Sequence, residues 1–292
     1  MSATRQILIV DKLRIAIGEP TNTWILRDVS FSVEVGKIIG LVGESGAGKT
    51  MVSRAILGFL PTGARCVSGR VLFDGRDLAE LSTNERRQLL SKDMAYIPQN
   101  PMTALNPVIR IEDQVCDVLK LHLGLNSSEA HLRSIELLDE VRLPDPEKIM
   151  SMYPHELSGG MRQRVLIAIA FACRPKLVIA DEPTTALDVT VQKQILQLLK
   201  SLQQKYQTAT LFITHDLGVV AKICDAVHVM HGGRIIESAD TETLINRPKH
   251  PYTASLVAAT PRFDLPANTL HPIPDGVVQT LNQEIGEWDS RA

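Results

Sequence analysis

Between residues 6 and 42 apolar positions alternate with polar ones: Leu8 and Val10, then Leu13, Ile15 and Ile17. That is the period of half-buried strands. The run Lys37-Ile38-Ile39-Gly40-Leu41-Val42 reads as a buried strand entering a glycine-rich turn. At Lys49 the pattern changes to that of a helix, with Val52, Ala55, Ile56 and Phe59 on one face and Gly63 as the breaker. Residues 66–73 and 93–97 predict further strands. From about 110 to 155 the pattern is helical in short segments, and Pro144, Pro146 and Pro154 punctuate its end. An apolar helix over 160–173 follows. Beyond it the order is strand (176–180), helix (189–204), strand (209–213), helix (217–223) and two strands (226–230 and 234–237). Strands alternating with helices imply a mostly parallel, covered sheet, so an α/β fold. The helical stretch implies an inserted second lobe. From about 246 onward prolines recur at Pro248, Pro251, Pro261, Pro266, Pro272 and Pro274, which predicts an extended tail crossing a surface.

Composition narrows the class. The 292 residues are 44% hydrophobic and 22% charged, ordinary values for a globular chain with one or two domains. Formal net charge is −2 from 31 basic and 33 acidic residues, so the basic footprint of a nucleic-acid binder is missing. Cys66, Cys116, Cys173 and Cys224 are far apart, without CxxC spacing, and read as buried reduced thiols. No charged segment followed by an apolar one opens the sequence, so a secretory signal is not expected. The longest strongly apolar stretch, Val165 to Cys173, is far shorter than the roughly 20 residues of a membrane span. A role at a membrane therefore implies docking on an integral partner.

Gly43-Glu44-Ser45-Gly46-Ala47-Gly48-Lys49-Thr50 fits G-x-x-x-x-G-K-[ST]. Glycines let backbone N–H groups turn toward phosphate oxygens, and the following helix presents its positive end to the same anion. In this pattern Lys49 reaches the β- and γ-phosphates and Thr50 offers a hydroxyl to Mg²⁺. Leu177-Val178-Ile179-Ala180-Asp181-Glu182 is an apolar strand that ends in two acids. Asp181 would hold Mg²⁺, directly or through water, and Glu182 would polarise the water that attacks the γ-phosphate.

Ser158-Gly159-Gly160 opens the apolar helix and makes a second anion-binding helix start. One ATP needs one cradle. Two such starts in one chain make sense if two subunits pair head to tail, each closing the other's nucleotide.

At this point the sequence resembles the ABC ATPases, from about residue 6 to 260. The resemblance rests on six motifs in order: the 43–50 loop, Gln99, Leu157-Ser158-Gly159-Gly160-Met161, the 177–182 strand, Ala186-Leu187-Asp188 and His215. It implies a P-loop NTPase core with an N-terminal antiparallel β subdomain and an inserted helical subdomain at about 100–172. It also implies further roles. Gln99 would touch Mg²⁺ and the attacking water. Asp188 would lie at the subunit interface and align the opposite site. His215 would contact the γ-phosphate and orient the water of Glu182. An aromatic that stacks on adenine is usual in the N-terminal strands, and Trp24 and Ile15 are the two candidates for that position.

Four stretches are similar to the ATPases of the oligopeptide, dipeptide and nickel importer branch: Gln99 through Pro107, Tyr153 through Arg164, Asp181 through Val191, and Arg247-Pro248-Lys249-His250-Pro251-Tyr252-Thr253. The resemblance implies an ATPase domain over 1–245 and an importer-type extension over 246–292. It implies a second ATPase subunit, identical or not, two membrane permeases and an extracytoplasmic substrate-binding protein. The chain would then be peripheral at the cytoplasmic face of the inner membrane. That branch often ends in a cysteine cluster for an iron–sulfur centre; no cysteine follows Cys224, so no such cluster is expected. The rival expectation is a non-transport ABC ATPase of DNA repair or translation. Against it, there is one set of motifs, no heptad run and no CxxC pair.

Overall fold

The computed structural model describes residues 5–18, 23–185, 187–260 and 274–291. The chain forms two compact units, Met1–Leu81 with Leu211–Ala292, and Ser82–Thr210.

The first unit opens with β1 (Gln6–Ile17), β2 (Thr23–Glu34) and β3 (Ile38–Val42), then α1 (Lys49–Leu57), β4 (Ala64–Phe73) and the short β5 (Arg76–Asp77). The second unit contains α2 (Thr83–Lys92), β6 (Met94–Ile97), α3 (Pro101–Ala104), α4 (Ile111–Leu123), α5 (Ser127–Glu140), α6 (Pro146–Met150), α7 (Gly159–Phe171), β7 (Leu177–Asp181) and α8 (Val189–Tyr206). The division falls within β8 (Ala209–Thr214). The chain then adds α9 (Leu217–Ile223), β9 (Ala226–His231), β10 (Arg234–Asp240), α10 (Thr241–Asn246), α11 (Pro251–Ala259) and α12 (Asp275–Asp289) to the first unit.

In the first unit an antiparallel sheet runs β2-β1-β4-β5. Val10 pairs with Phe31 on one side and Val71 on the other, and Leu8 pairs with Phe73. These side chains are buried, as the alternation predicts. The same unit holds strands in the order β10-β9-β3-β8. There β3 lies parallel to β9, from Ile39↔Ala226 to Val42↔Val229, and β10 is antiparallel to β9. All five residues of β3 are buried, which explains its unbroken apolar run. In the second unit β6 and β7 are parallel, Met94↔Leu177 through Ile97↔Ala180. The fold is thus α/β with a mixed, mostly parallel sheet and an antiparallel sheet, the expected class. In α4, Ile111, Val115 and Leu119 bury one stripe, while α7 is apolar nearly all round and is a core helix. Among the described residues no helix is long and apolar enough to cross a membrane.

Three expectations are corrected. First, α1 stops at Gly58, not Gly63: Gly58 takes φ 77° and its N–H closes onto Arg54 and Ala55 carbonyls. Phe59 therefore falls past the helix and is 68% exposed, and Ser53 joins Val52 and Ile56 on the buried face. Second, the region after 246 is not extended throughout. Pro251 occupies the first turn of α11, where its missing N–H costs no hydrogen bond, and α12 begins immediately after Pro274. Pro261, Pro266 and Pro272 lie outside the described residues. Third, only Cys116 and Cys224 are buried; Cys173 is half-buried, Cys66 is exposed, and none of the four is in a disulfide. The helix α2 was not anticipated, although Ser82 and Glu85 form a reciprocal capping box at its start.

Candidate functional site

In the first unit, β3 delivers the chain into the 43–50 loop and α1 receives it at Lys49. Gly48 is the N-cap at φ 100°, a left-handed backbone that only glycine adopts without strain, and no side chain caps the helix. The first N–H groups of α1 are thus left without a side-chain cap, as an anion site requires. A Cβ at Gly43 would run into the carbonyl oxygen of Met230, so close backbone packing fixes that position as well. Lys49 is buried, and its Nζ donates to the carbonyls of Gly43 (2.8 Å) and Glu44 (2.9 Å). Glu44, Ser45, Gly46 and Thr50 are exposed, and Ala47 is buried with its carbonyl accepting from Gly233 N (3.0 Å). His215 follows β8 and is exposed; its neighbour Asp216 caps α9 through Gly218 and Val219 N–H groups.

In the second unit, β7 ends at Asp181, which is buried and accepts from the Tyr96 hydroxyl (3.2 Å). Glu182 comes next, at φ 48° and ahead of Pro183. A non-glycine residue there is strained, by about 1–3 kcal/mol. Its Oε2 accepts from Gln99 Nε2 (2.9 Å) and from Thr185 Oγ1 (2.9 Å). The acid, the glutamine and the strand end anticipated from separate stretches are therefore assembled in one place.

Ser158 caps α7, its Oγ accepting from Met161 N (3.3 Å). A Cβ on Gly160 would come within 2.7 Å of Val191 Cγ1, and one on Gly159 would contact Leu187 at 3.8 Å. Asp188 caps α8 by accepting from Thr190 N (3.1 Å) and Val191 N (3.0 Å). The Ser-Gly-Gly turn and the start of α8 are thus one packed arrangement; Ala186 lies outside the described residues. Of the two candidates for stacking on a base, Ile15 is fully buried and so closed to a ligand. The ring of Trp24 meets Trp288 of α12 edge-on at 5.5 Å.

Sequence reasoning missed four contributors. Tyr96 and Thr185 hold the two acids, Trp288 covers Trp24, and the fully buried Tyr252 donates to Glu44 Oε2 (3.0 Å). Burial, and then the nearby Glu44 carboxylate, push the Tyr252 phenol well above its ordinary pKa, so it remains a donor. Thr185 sits three residues from Glu182, whereas Tyr96, Trp288 and Tyr252 act across distant segments that no local spacing connects.

A glycine-rich loop entering a helix without a side-chain cap, a buried lysine in that helix's first turn and paired acids at the end of a parallel strand define a P-loop nucleotide-binding protein. The family model "ABC transporter" matches residues 26–185, and "Oligopeptide/dipeptide transporter, C-terminal region" matches 236–286. The dipeptide transport ATP-binding protein DppD of Escherichia coli (strain K12) is 45% identical over 273 residues, covering 93% of this chain and 83% of the relative. The oligopeptide transport ATP-binding protein OppD of Salmonella typhimurium is 46% identical, covering 92% and 80%. Among solved structures, cbiO1 from Clostridium perfringens, part of the ABC transporter complex cbiONQ, superposes with a TM-score of 0.72 at 25% identity, covering 86% of this chain and 95% of that one. The chain belongs to the ABC transporter family, as an ATP-hydrolysing cassette of its oligopeptide/dipeptide branch.

Proposed function

We propose that this chain couples ATP hydrolysis to the uptake of peptides through two integral membrane permeases, at the cytoplasmic face of the inner membrane. The hydrogen bond from Gln99 to the Glu182 carboxylate beside the buried Asp181 carries the catalytic half of this reading. It supports a reading in which an acid able to polarise water lies next to the strand end that would hold the metal. The peptide substrate is supported by the two relatives named for dipeptide and oligopeptide transport and by the matching C-terminal region over 236–286.

In this reading Gly43 through Thr50 bind the phosphates of ATP, with Lys49 on the β- and γ-oxygens. Thr50, Gln99 and Asp181 offer only oxygen donors, the set that Mg²⁺ prefers, and the bound ion would neutralise charge on the phosphates. Glu182 orients the attacking water and His215 contacts the γ-phosphate. Two ATPase subunits, identical or not, act as a pair. Each contributes Ser158, Gly159, Gly160 and Asp188 to the partner's nucleotide. Catalysis is then mostly positioning and charge stabilisation.

The segment after Gln99 supports a membrane partner. Met102 is 59% exposed and Val108 78%, apolar surface on the lobe at about 100–172 that would pass its motion to the permeases. A substrate-binding protein outside would deliver the peptide, and residues 246–292, which hold no cysteine, would supply no thiolate to an iron–sulfur centre. The test is affinity purification of the tagged chain from detergent-solubilised membranes of its host. Two multi-span permeases should co-purify, with or without a second ATPase. Recovery of soluble or nucleic-acid-bound partners alone would favour the non-transport reading.

A further inference from the structure

We infer that Tyr252 is a positioning residue for the phosphate loop, setting ATP affinity by holding Glu44. The inference rests on the reading that residues 43–50 bind the phosphates.

Glu44 is held at two points. Its backbone carbonyl accepts from Lys49 Nζ (2.9 Å), and its carboxylate accepts from the Tyr252 hydroxyl (3.0 Å). The two ends differ in freedom. Glu44 is on an exposed loop and its side chain is about half exposed. Tyr252 is fully buried, with the His231 ring packed edge-on against it at 4.8 Å. Its helix, α11, is anchored on β10, where Glu237 accepts from the N–H groups of Lys249 (2.8 Å) and His250 (2.9 Å). Thr253, the next residue, is also fully buried. The phenol is therefore the fixed partner and the loop the adjustable one. His231 Nδ1 is the other polar group facing the carboxylate, at 4.0 Å.

When a nucleotide arrives, Lys49 must leave the carbonyls of Gly43 and Glu44 for phosphate oxygens. A loop tethered at the Glu44 side chain keeps its curved backbone while the lysine swings. Without the tether, the loop must be reordered as it binds, and that ordering lowers affinity. The fully buried phenol acts on the loop through the Glu44 carboxylate, so its loss acts on binding and not on the chemical step.

Tyr252→Phe should raise KM for MgATP, and Kd for a fluorescent ATP analogue, about five- to tenfold. Turnover at saturation should stay within about twofold. Glu44→Ala should do the same without disturbing the core. Glu44→Gln, whose amide oxygen still accepts, should raise KM less than Glu44→Ala does. The double variant Tyr252→Phe/Glu44→Ala should be no weaker than either single one. Unchanged KM in Tyr252→Phe, equal losses in Glu44→Gln and Glu44→Ala, or multiplied losses in the double variant would each overturn the inference. Lys49→Ala is the control: if it binds ATP normally the loop reading itself fails, whereas loss of binding there with a neutral Tyr252→Phe overturns the positioning role alone.

Discussion

The 43–50 loop and the 158–160 turn look alike in sequence, each a glycine-rich entry into a helix, yet their glycines answer different demands. In the first, Gly46 and Gly48 take φ of 84° and 100°, and α1 begins without a side-chain cap. In the second, α7 is capped by its own Ser158, and Gly160 is required because Val191 leaves no room for a Cβ. The first loop uses glycines for positive-φ backbone at Gly46 and Gly48 and for close packing at Gly43, the second uses Gly160 for contact with the neighbouring helix. The same pattern of small residues can therefore serve backbone shape or helix packing. Only the backbone angles and the neighbours tell them apart.

The largest expected effect tests whether the two regions serve one reaction. Glu182→Gln should retain ATP binding and lose about 10²–10⁴-fold in phosphate release, trapping a nucleotide-bound pair visible by size-exclusion chromatography. Wild-type turnover in that variant would dissolve the assignment of Glu182.

Gly160→Ala addresses the helix packing directly. Its Cβ would crowd Val191, so thermal or urea melts should show a loss of about 1–3 kcal/mol, largely recovered by adding Val191→Ala. ATP affinity of the single chain should not move. A fall in affinity with no loss of stability would erase the contrast between the loops.

Acid should weaken the unit that carries the phosphate loop. Burial lowers the pKa of His228 on β9 from 6.5 to about 4, so its neutral form is the one that fits the fold. The associated stability is complete above about pH 6.5 and is lost as the pH falls toward 4, because the unfolded chain binds the proton first. Unfolding free energies from urea melts at pH 7 and pH 4.5 should differ by about 2 kcal/mol, discounted for the ring's residual exposure. His228→Gln should flatten that slope; an unchanged slope would remove His228 as its cause.

The smallest effect is at the cap. Ser158→Ala should cost about 1 kcal/mol of stability by leaving an N–H of α7 without its acceptor.

Much of this contrast was legible in the sequence, and the illegible part has a physical pattern. The strands β1, β3, β7 and β8 could be read because β1 alternates in burial over most of its length, interrupted at Ile7–Leu8 and Ile15–Ala16, and β3, β7 and β8 are buried throughout. The loop, the paired acids and the Ser-Gly-Gly turn could be read because their spacing is local. The helices α11 and α12 were hidden by proline content. Pro251 and Pro274 begin helices there, and Leu281 and Trp288 supply the helical spacing that prolines obscured. Tyr252, Tyr96 and Trp288 were hidden for another reason. Each acts on a residue dozens to hundreds of positions away, and no period within one segment records such a partner.

The left-handed backbone at Glu182 has a consequence for anyone improving this protein by heat. Glycine or asparagine would rest more easily at that φ, so a screen for survival at high temperature would favour their arrival by up to about 1 kcal/mol. If Glu182 acts as proposed, the winners would melt later and turn over far less ATP. At this position melting temperature and usefulness rank variants in opposite orders, and a screen must score work as well as endurance.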